Sequence, residues 1–99
     1  MTEPLAPELH PEAAAEVEAA FTWYRERSER AAEGFLRELE HALGQVAAFP
    51  DRWLLYGPGI RGFKLRRYPF AVIYRGAESP VQIIAIAHGR RRPGYWRKR

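Results

Sequence analysis

The residue types able to act on a charged partner gather in the second half of the chain. Gly62, Lys64 and Arg66 alternate with Phe63 and Leu65, which puts a basic face on one side of an extended segment. His88, Arg90, Arg91, Arg92, Tyr95, Trp96 and Arg97 follow at the end of an apolar run. Cations interleaved with aromatics suit phosphate contacts and base stacking. They suit an acidic, disordered peptide equally well. His88 is either a strand-end residue bonded to backbone or a proton-transfer group. Trp96 either folds back as core or stands out as a contact, because Pro93-Gly94 can turn the chain either way. Other constellations are missing. Ser28 and Ser79 are the two serines, both in turn sequences and neither in a nucleophile-elbow setting. His10, His41 and His88 lack metal-ligand spacing, and no cysteine is present, so neither a metal nor a cofactor is expected. Glu16/Glu18 and Glu38/Glu40 are spaced two apart, which splays them on a helix as solvated faces.

The elements that must position this surface follow from periodicity. Residues 81–88, VQIIAIAH, are apolar on both sides of a two-residue repeat: Val81, Ile83, Ala85 and Ala87 against Gln82, Ile84, Ile86 and His88. That predicts a central strand covered on both faces. Residues 60–67 and 70–75 predict two hairpin strands. Residues 4–9, PLAPEL, could form a short strand, held to an edge by Pro4 and Pro7. His10-Pro11-Glu12 predicts a helix start, with His10 an imperfect cap. From Pro11 to about Ser28, Ala13, Val17, Ala20, Phe21 and Tyr24 make one helix face, with Trp23 off its centre, either packed at the core margin or facing a partner. A second helix runs from about Arg30 to Ala48 on Phe35, Leu36, Leu39, Leu43 and Val46, and Pro50 ends it. Gly34 could allow close helix contact. Residues 50–59 read as a loop whose Trp53, Leu54 and Leu55 close one end of the core. Gly57-Pro58-Gly59 is a turn without the Lys and Ser/Thr of a phosphate-binding loop. The fold class expected is α+β: a short N-terminal strand and an antiparallel two-helix hairpin on one face of a three- to four-stranded, mainly antiparallel sheet.

Ninety-nine residues suit one domain over 1–99, with a basic tail at 89–99. Residues 1–50 hold ten Glu against four Arg, a net −6; residues 51–99 hold twelve Arg or Lys against Asp51 and Glu78, a net +10. Clustering of that kind points to an acidic or polyanionic partner for the second half. No apolar run approaches the roughly 20 residues of a membrane span, and no secretion signal is seen, so a cytoplasmic location is expected.

Several short motifs occur together: Pro11-Glu12-Ala13 opening a helix, Trp23-Tyr24, Phe35, and Pro50-Asp51 after the second helix. KLRRYPFAVIYR over 64–75 and IAHGRRRPGYW over 86–96 close the chain. In this order they resemble the RelE/ParE superfamily of small bacterial toxins from type II toxin–antitoxin modules. The resemblance implies a growth-arresting, plasmid-stabilisation type of toxin in a hetero-oligomer with a cognate antitoxin. That antitoxin would carry an acidic, amphipathic C-terminal segment and the operator-binding role.

RelE-like members are ribosome-dependent mRNA endonucleases that surround the scissile phosphate with lysines and arginines. ParE-like members inhibit DNA gyrase by protein–protein contact. Against the nuclease pattern, Lys64 matches one of two strand lysines, and the other falls at Gly62. An arginine of the next strand falls at Ala71. The arginine after the last strand matches Arg90. The terminal tyrosine falls near Tyr95 or Trp96, with Trp96 the better alignment. The resemblance therefore implies a ParE-like gyrase inhibitor with no assigned catalytic residue. Its target- or antitoxin-binding surface would be Lys64, Arg66, Arg90, Arg91, Arg92, Tyr95, Trp96 and Arg97. The alternatives are an mRNA endonuclease using Lys64, Arg66, His88, Arg90 and Tyr95, and a non-toxic member that only binds its antitoxin.

Overall fold

A computed structural model describes residues 6–76 and 80–99. Two helices, α1 (Pro11–Arg25) and α2 (Glu29–Ala48), pack against strands β1 (Glu8–Leu9), β2 (Leu54–Gly57), β3 (Ile60–Lys64), β4 (Phe70–Arg75) and β5 (Gln82–His88). The sheet order is β1-β5-β4-β3-β2. Only the β1–β5 pair is parallel; the others are antiparallel. The α+β class is as expected, with five strands in place of three to four. The added strand is β2, which the sequence reading left in a loop. Leu54 and Leu55 pair with Gly62 and Arg61 there and are 66% and 64% exposed, so they do not close the core. Trp53 does: its Nε1 donates to the Gln45 carbonyl at 3.2 Å and its ring meets Phe63 edge-on at 4.6 Å.

Local chemistry sets the helix limits. Pro11 occupies the first helical position, and His10 Nδ1 accepts from the Glu12 amide at 3.1 Å, a working cap from an unusual residue. Ser28 caps α2 by accepting from the Ala31 amide at 3.2 Å. The three residues between the helices close a tight αα-hairpin. Phe35, Leu39 and Val46 of α2 and Ala13 and Ala20 of α1 bury against Val72, Tyr74, Ile83 and Ile86 of the sheet. Trp23 stands apart from this core, 52% exposed, with the Arg27 guanidinium 3.7 Å from its ring centre.

β5 is covered on both faces as expected, but it lies second in the sheet order rather than at the centre, which β4 takes, and its sides do not alternate strictly. Ile73 pairs with Ala85 and Tyr74 with Ile83, so Ile84 is the extra residue of a β-bulge. Val81, Ile83 and Ile86 consequently face the helices, while Ile84 and Ala85 join Ala71, Ile73 and Trp96 on the other face. β3 stops at Lys64, short of the expected 67. The Glu38 carboxylate of α2 takes the Arg66 amide and, at 3.1 Å, the Arg67 amide out of the ladder. Glu38 is thus a turn-holding group rather than part of a solvated face.

Gly34 makes its close approach to Tyr68 rather than to a helix. The Tyr68 hydroxyl donates to the Ala31 carbonyl at 2.7 Å, and a Cβ at position 34 would lie 2.5 Å from that oxygen. Gly34→Ala is therefore expected to destabilise by about 1–2 kcal/mol, although alanine is the better helix former. Urea denaturation of this variant beside Tyr68→Phe checks it: the two losses should overlap rather than add.

Candidate functional site

The end of β5 delivers the basic tail. Backbone bonds from Arg91 to His88, Tyr95 to Arg92, Arg97 to Gly94 and Arg99 to Trp96 wind residues 88–99 into successive turns. Gly94 supplies the one positive φ they need, +81°. These turns lay Trp96 over the second face of the sheet, 4% exposed, with Tyr56 at 6.4 Å between ring centres. Of the two fates open to Trp96, the structure takes packing.

Glu16 pins the tail from the other side. β1 ends at Leu9, so β5 runs on beside α1 with an unpaired edge. There the Ile86 amide donates to Glu16 Oε1 at 2.9 Å, and the Ile84 carbonyl accepts from Arg99 at 3.0 Å. The Glu16 carboxylate also accepts from the Tyr95 hydroxyl at 2.6 Å, from Arg91 at 3.2 Å and from both Arg99 Nη atoms at 2.9 and 3.1 Å. Arg99 Nε pairs with Glu12 at 3.1 Å. Glu16 was expected on a solvated face; its side chain is only 14% exposed. Helical spacing could not reveal this, because every partner lies about seventy residues or more along the chain.

These contacts set the protonation states. Burial pushes the Glu16 carboxyl up, but hydrogen bonds from Arg99, Tyr95 and Ile86 and the Arg99 charge outweigh it, leaving the carboxyl below its ordinary range. Burial and the bond to Glu16 push the Tyr95 phenol up to about 12, against the opposing charges of Arg91 and Arg99. A phenol held that firmly protonated is a poor proton-transfer group near neutrality. The contribution to stability follows the same sign. It is fully present below the ordinary value of 10 and is lost as pH rises through about 12. The difference titration at 295 nm between the natural chain and Tyr95→Phe should show one tyrosine ionising near 12.

Two clefts flank the ridge formed by Pro69, Phe70 and His88. One, about 410 Å³, lies beside α1 and is walled by Ala20, Trp23, Phe70 and Ile86. The other, about 450 Å³, lies between the sheet and the tail. Lys64, His88, Arg91, Arg92, Tyr95 and Trp96 converge on this second cleft, whereas Arg66, Arg90 and Arg97 do not line it. Arg66 sits in the β3–β4 connection instead of on a strand face. Arg91 is drawn to Glu16 and stacks 3.7 Å from the Tyr95 ring centre. His88 Nδ1 accepts from the Arg90 amide at 3.0 Å, and its ring meets Phe70 edge-on at 5.0 Å. Sequence reasoning missed Glu16, Arg99 and Tyr56. Tyr56 covers Gly62 so closely that any Cβ there would collide with its ring.

The family model for the ParE toxin of the type II toxin–antitoxin system parDE matches residues 8–93. The chain belongs to the ParE toxin family. Among solved structures, a chain of the chromosomal ParDE toxin–antitoxin system from P. aeruginosa shares this fold with a TM-score of 0.72. The two are 19% identical, over 88% of this chain and 98% of that one. No curated protein matches. In this ParE-family chain the two positions that depart from the nuclease pattern lie on the face of the sheet that carries Trp96. Gly62 lies under Tyr56, and Ala71 is buried in the cluster that Trp96 completes. Among the described residues no helix is long and apolar enough to cross a membrane.

Proposed function

We propose that this chain is a toxin that arrests growth by inhibiting DNA gyrase through protein–protein contact in the cytoplasm. A cognate antitoxin with an acidic, amphipathic C-terminal segment neutralises it in a hetero-oligomer. The observation that carries the reading is that Tyr56 closes the Gly62 position of the nuclease pattern within an intact scaffold. Restoring a lysine at Gly62 would displace Tyr56, Ala71 offers no charge, and the Tyr95 hydroxyl is committed to Glu16. Positioned donors to a developing phosphorane each contribute several kcal/mol, roughly 3–4, so their absence weighs against phosphodiester cleavage. The exposed cations Lys64, Arg66, Arg90, Arg92 and Arg97 then serve as a contact surface. A ribosome-dependent mRNA endonuclease is the second reading. It rests on the convergence of Lys64, His88 and Arg92 on one cleft.

Induction of the chain alone in a bacterial host, with a plasmid-topology gel and primer extension on the same culture, tests this. Growth arrest with lost supercoiling or gyrase-linked breaks, and intact messages, is the expected result. Arrest with cut messages and normal topology would establish the endonuclease instead. Normal growth with soluble, folded protein would leave antitoxin binding as its only role. The charge asymmetry also predicts that antitoxin association slows as salt rises. A stopped-flow association rate indifferent to salt would rule out that steering.

A further inference from the structure

We propose that the cleft between the sheet and the tail is an anchor site for one bulky apolar side chain flanked by carboxylates, supplied by the antitoxin's acidic segment. This rests on the antitoxin reading above. The cleft floor is cut by small residues: Ala71 and Ala87 sit opposite each other across β4 and β5. A larger side chain at either position would intrude on the cleft of about 450 Å³ above them. That floor is apolar, so it favours an apolar side chain over a charged one.

The rim is cationic on two sides. Lys64 closes β3 on one side and Arg92 comes from the tail on the other, both exposed. Neither has a carboxylate partner among the described residues. No aspartate or glutamate lines the cleft, although the chain carries twelve acids. Such a site rewards carboxylates on either side of the inserted group and repels a basic segment.

A nucleic-acid strand would find the cations but little stacking platform on the tail side of the cleft. Base stacking needs free aromatic faces. The Tyr95 ring has the Arg91 guanidinium 3.7 Å and the Arg99 guanidinium 5.0 Å from its centre, and Trp96 is buried. Tyr56 is occupied in covering Gly62. The peptide is the better fit.

The test uses the full chain and fluorescence anisotropy with three labelled probes. They are a peptide of glutamates around one central phenylalanine, its alanine-centred twin, and a short oligothymidylate. The phenylalanine peptide should bind at least about tenfold more tightly than the twin. Ala71→Leu should erase that preference. The exposed pair Lys64→Gln with Arg92→Gln should weaken both peptides and flatten their salt dependence; this pair decides the matter if Ala71→Leu does not fold. Equal binding of the two peptides, or tighter binding of the oligothymidylate, would overturn the proposal. A parallel titration with the antitoxin encoded beside the toxin separates the two levels. If it binds the natural chain and Ala71→Leu equally, the anchor site is wrong and the antitoxin reading stands. If it does not bind the natural chain, both fall.

Discussion

Trp96→Ala is expected to cost about 3–5 kcal/mol of folding stability, the largest single loss available on the second face of the sheet. Trp96 is 4% exposed and completes the cluster of Ala71, Ile73, Ile84 and Ala85. Three of the four sheet residues beneath it are small or sit on the bulge, so neighbours cannot collapse into the space. Against the 5–15 kcal/mol that holds a typical domain together, such a loss leaves little margin. Denaturant midpoints of Trp96→Ala and Trp96→Phe distinguish packing from contact. The phenylalanine variant should recover most of the stability and keep antitoxin binding. If Trp96→Ala were as stable as the natural chain while binding failed, Trp96 would be a contact residue and its packing incidental.

Glu16→Ala is expected to cost roughly 3 kcal/mol, because it leaves Arg99 and the Ile86 amide without their buried acceptor. The side chains of Glu16 and Arg99 are 14% and 10% exposed, so solvent replaces little of what is lost. Glu16→Gln should cost less, since one acceptor oxygen remains for Ile86. Its pH signature is the sharper test. The Glu16 carboxyl titrates below its ordinary value of 4.5 because, although burial raises it, its hydrogen bonds to Arg99, Tyr95 and Ile86 dominate. A depressed value contributes stability that is fully present above 4.5 and is lost as pH falls through the folded-state value. The natural chain should therefore lose stability more steeply than Glu16→Gln below pH 4.5, read from urea midpoints across the acid range. Parallel acid limbs would remove Glu16 from its role as the anchor of the tail.

What the sequence showed and hid follows from the range of the interactions. The 81–88 run announced a strand covered on both faces because both its sides are apolar, though not its place beside the short edge strand, and Pro11 and Pro50 marked real helix limits. The hairpin of β3 and β4 was legible from Phe63 and from Val72 and Tyr74. β2 was not, because Leu54-Leu55-Tyr56 neither alternates nor escapes the prolines and glycines around it. The bulge at Ile84 is silent in an all-apolar segment, where a phase slip changes no residue type. Glu16 and Glu38 looked like solvent-facing acids because helical spacing reports only neighbours three and four apart. Their backbone and side-chain donors lie far along the chain. Of the basic surface, the residue types were legible, but the cleft that gathers Lys64, His88 and Arg92 depends on where the tail docks.

The most direct test of the account is a supercoiling and cleavage assay with purified DNA gyrase, relaxed plasmid and the purified chain. Loss of supercoiling with accumulation of gyrase-linked cleaved DNA, relieved by adding the antitoxin, is the expected result. Undisturbed gyrase, together with cleavage of ribosome-bound mRNA by the same preparation, would contradict it.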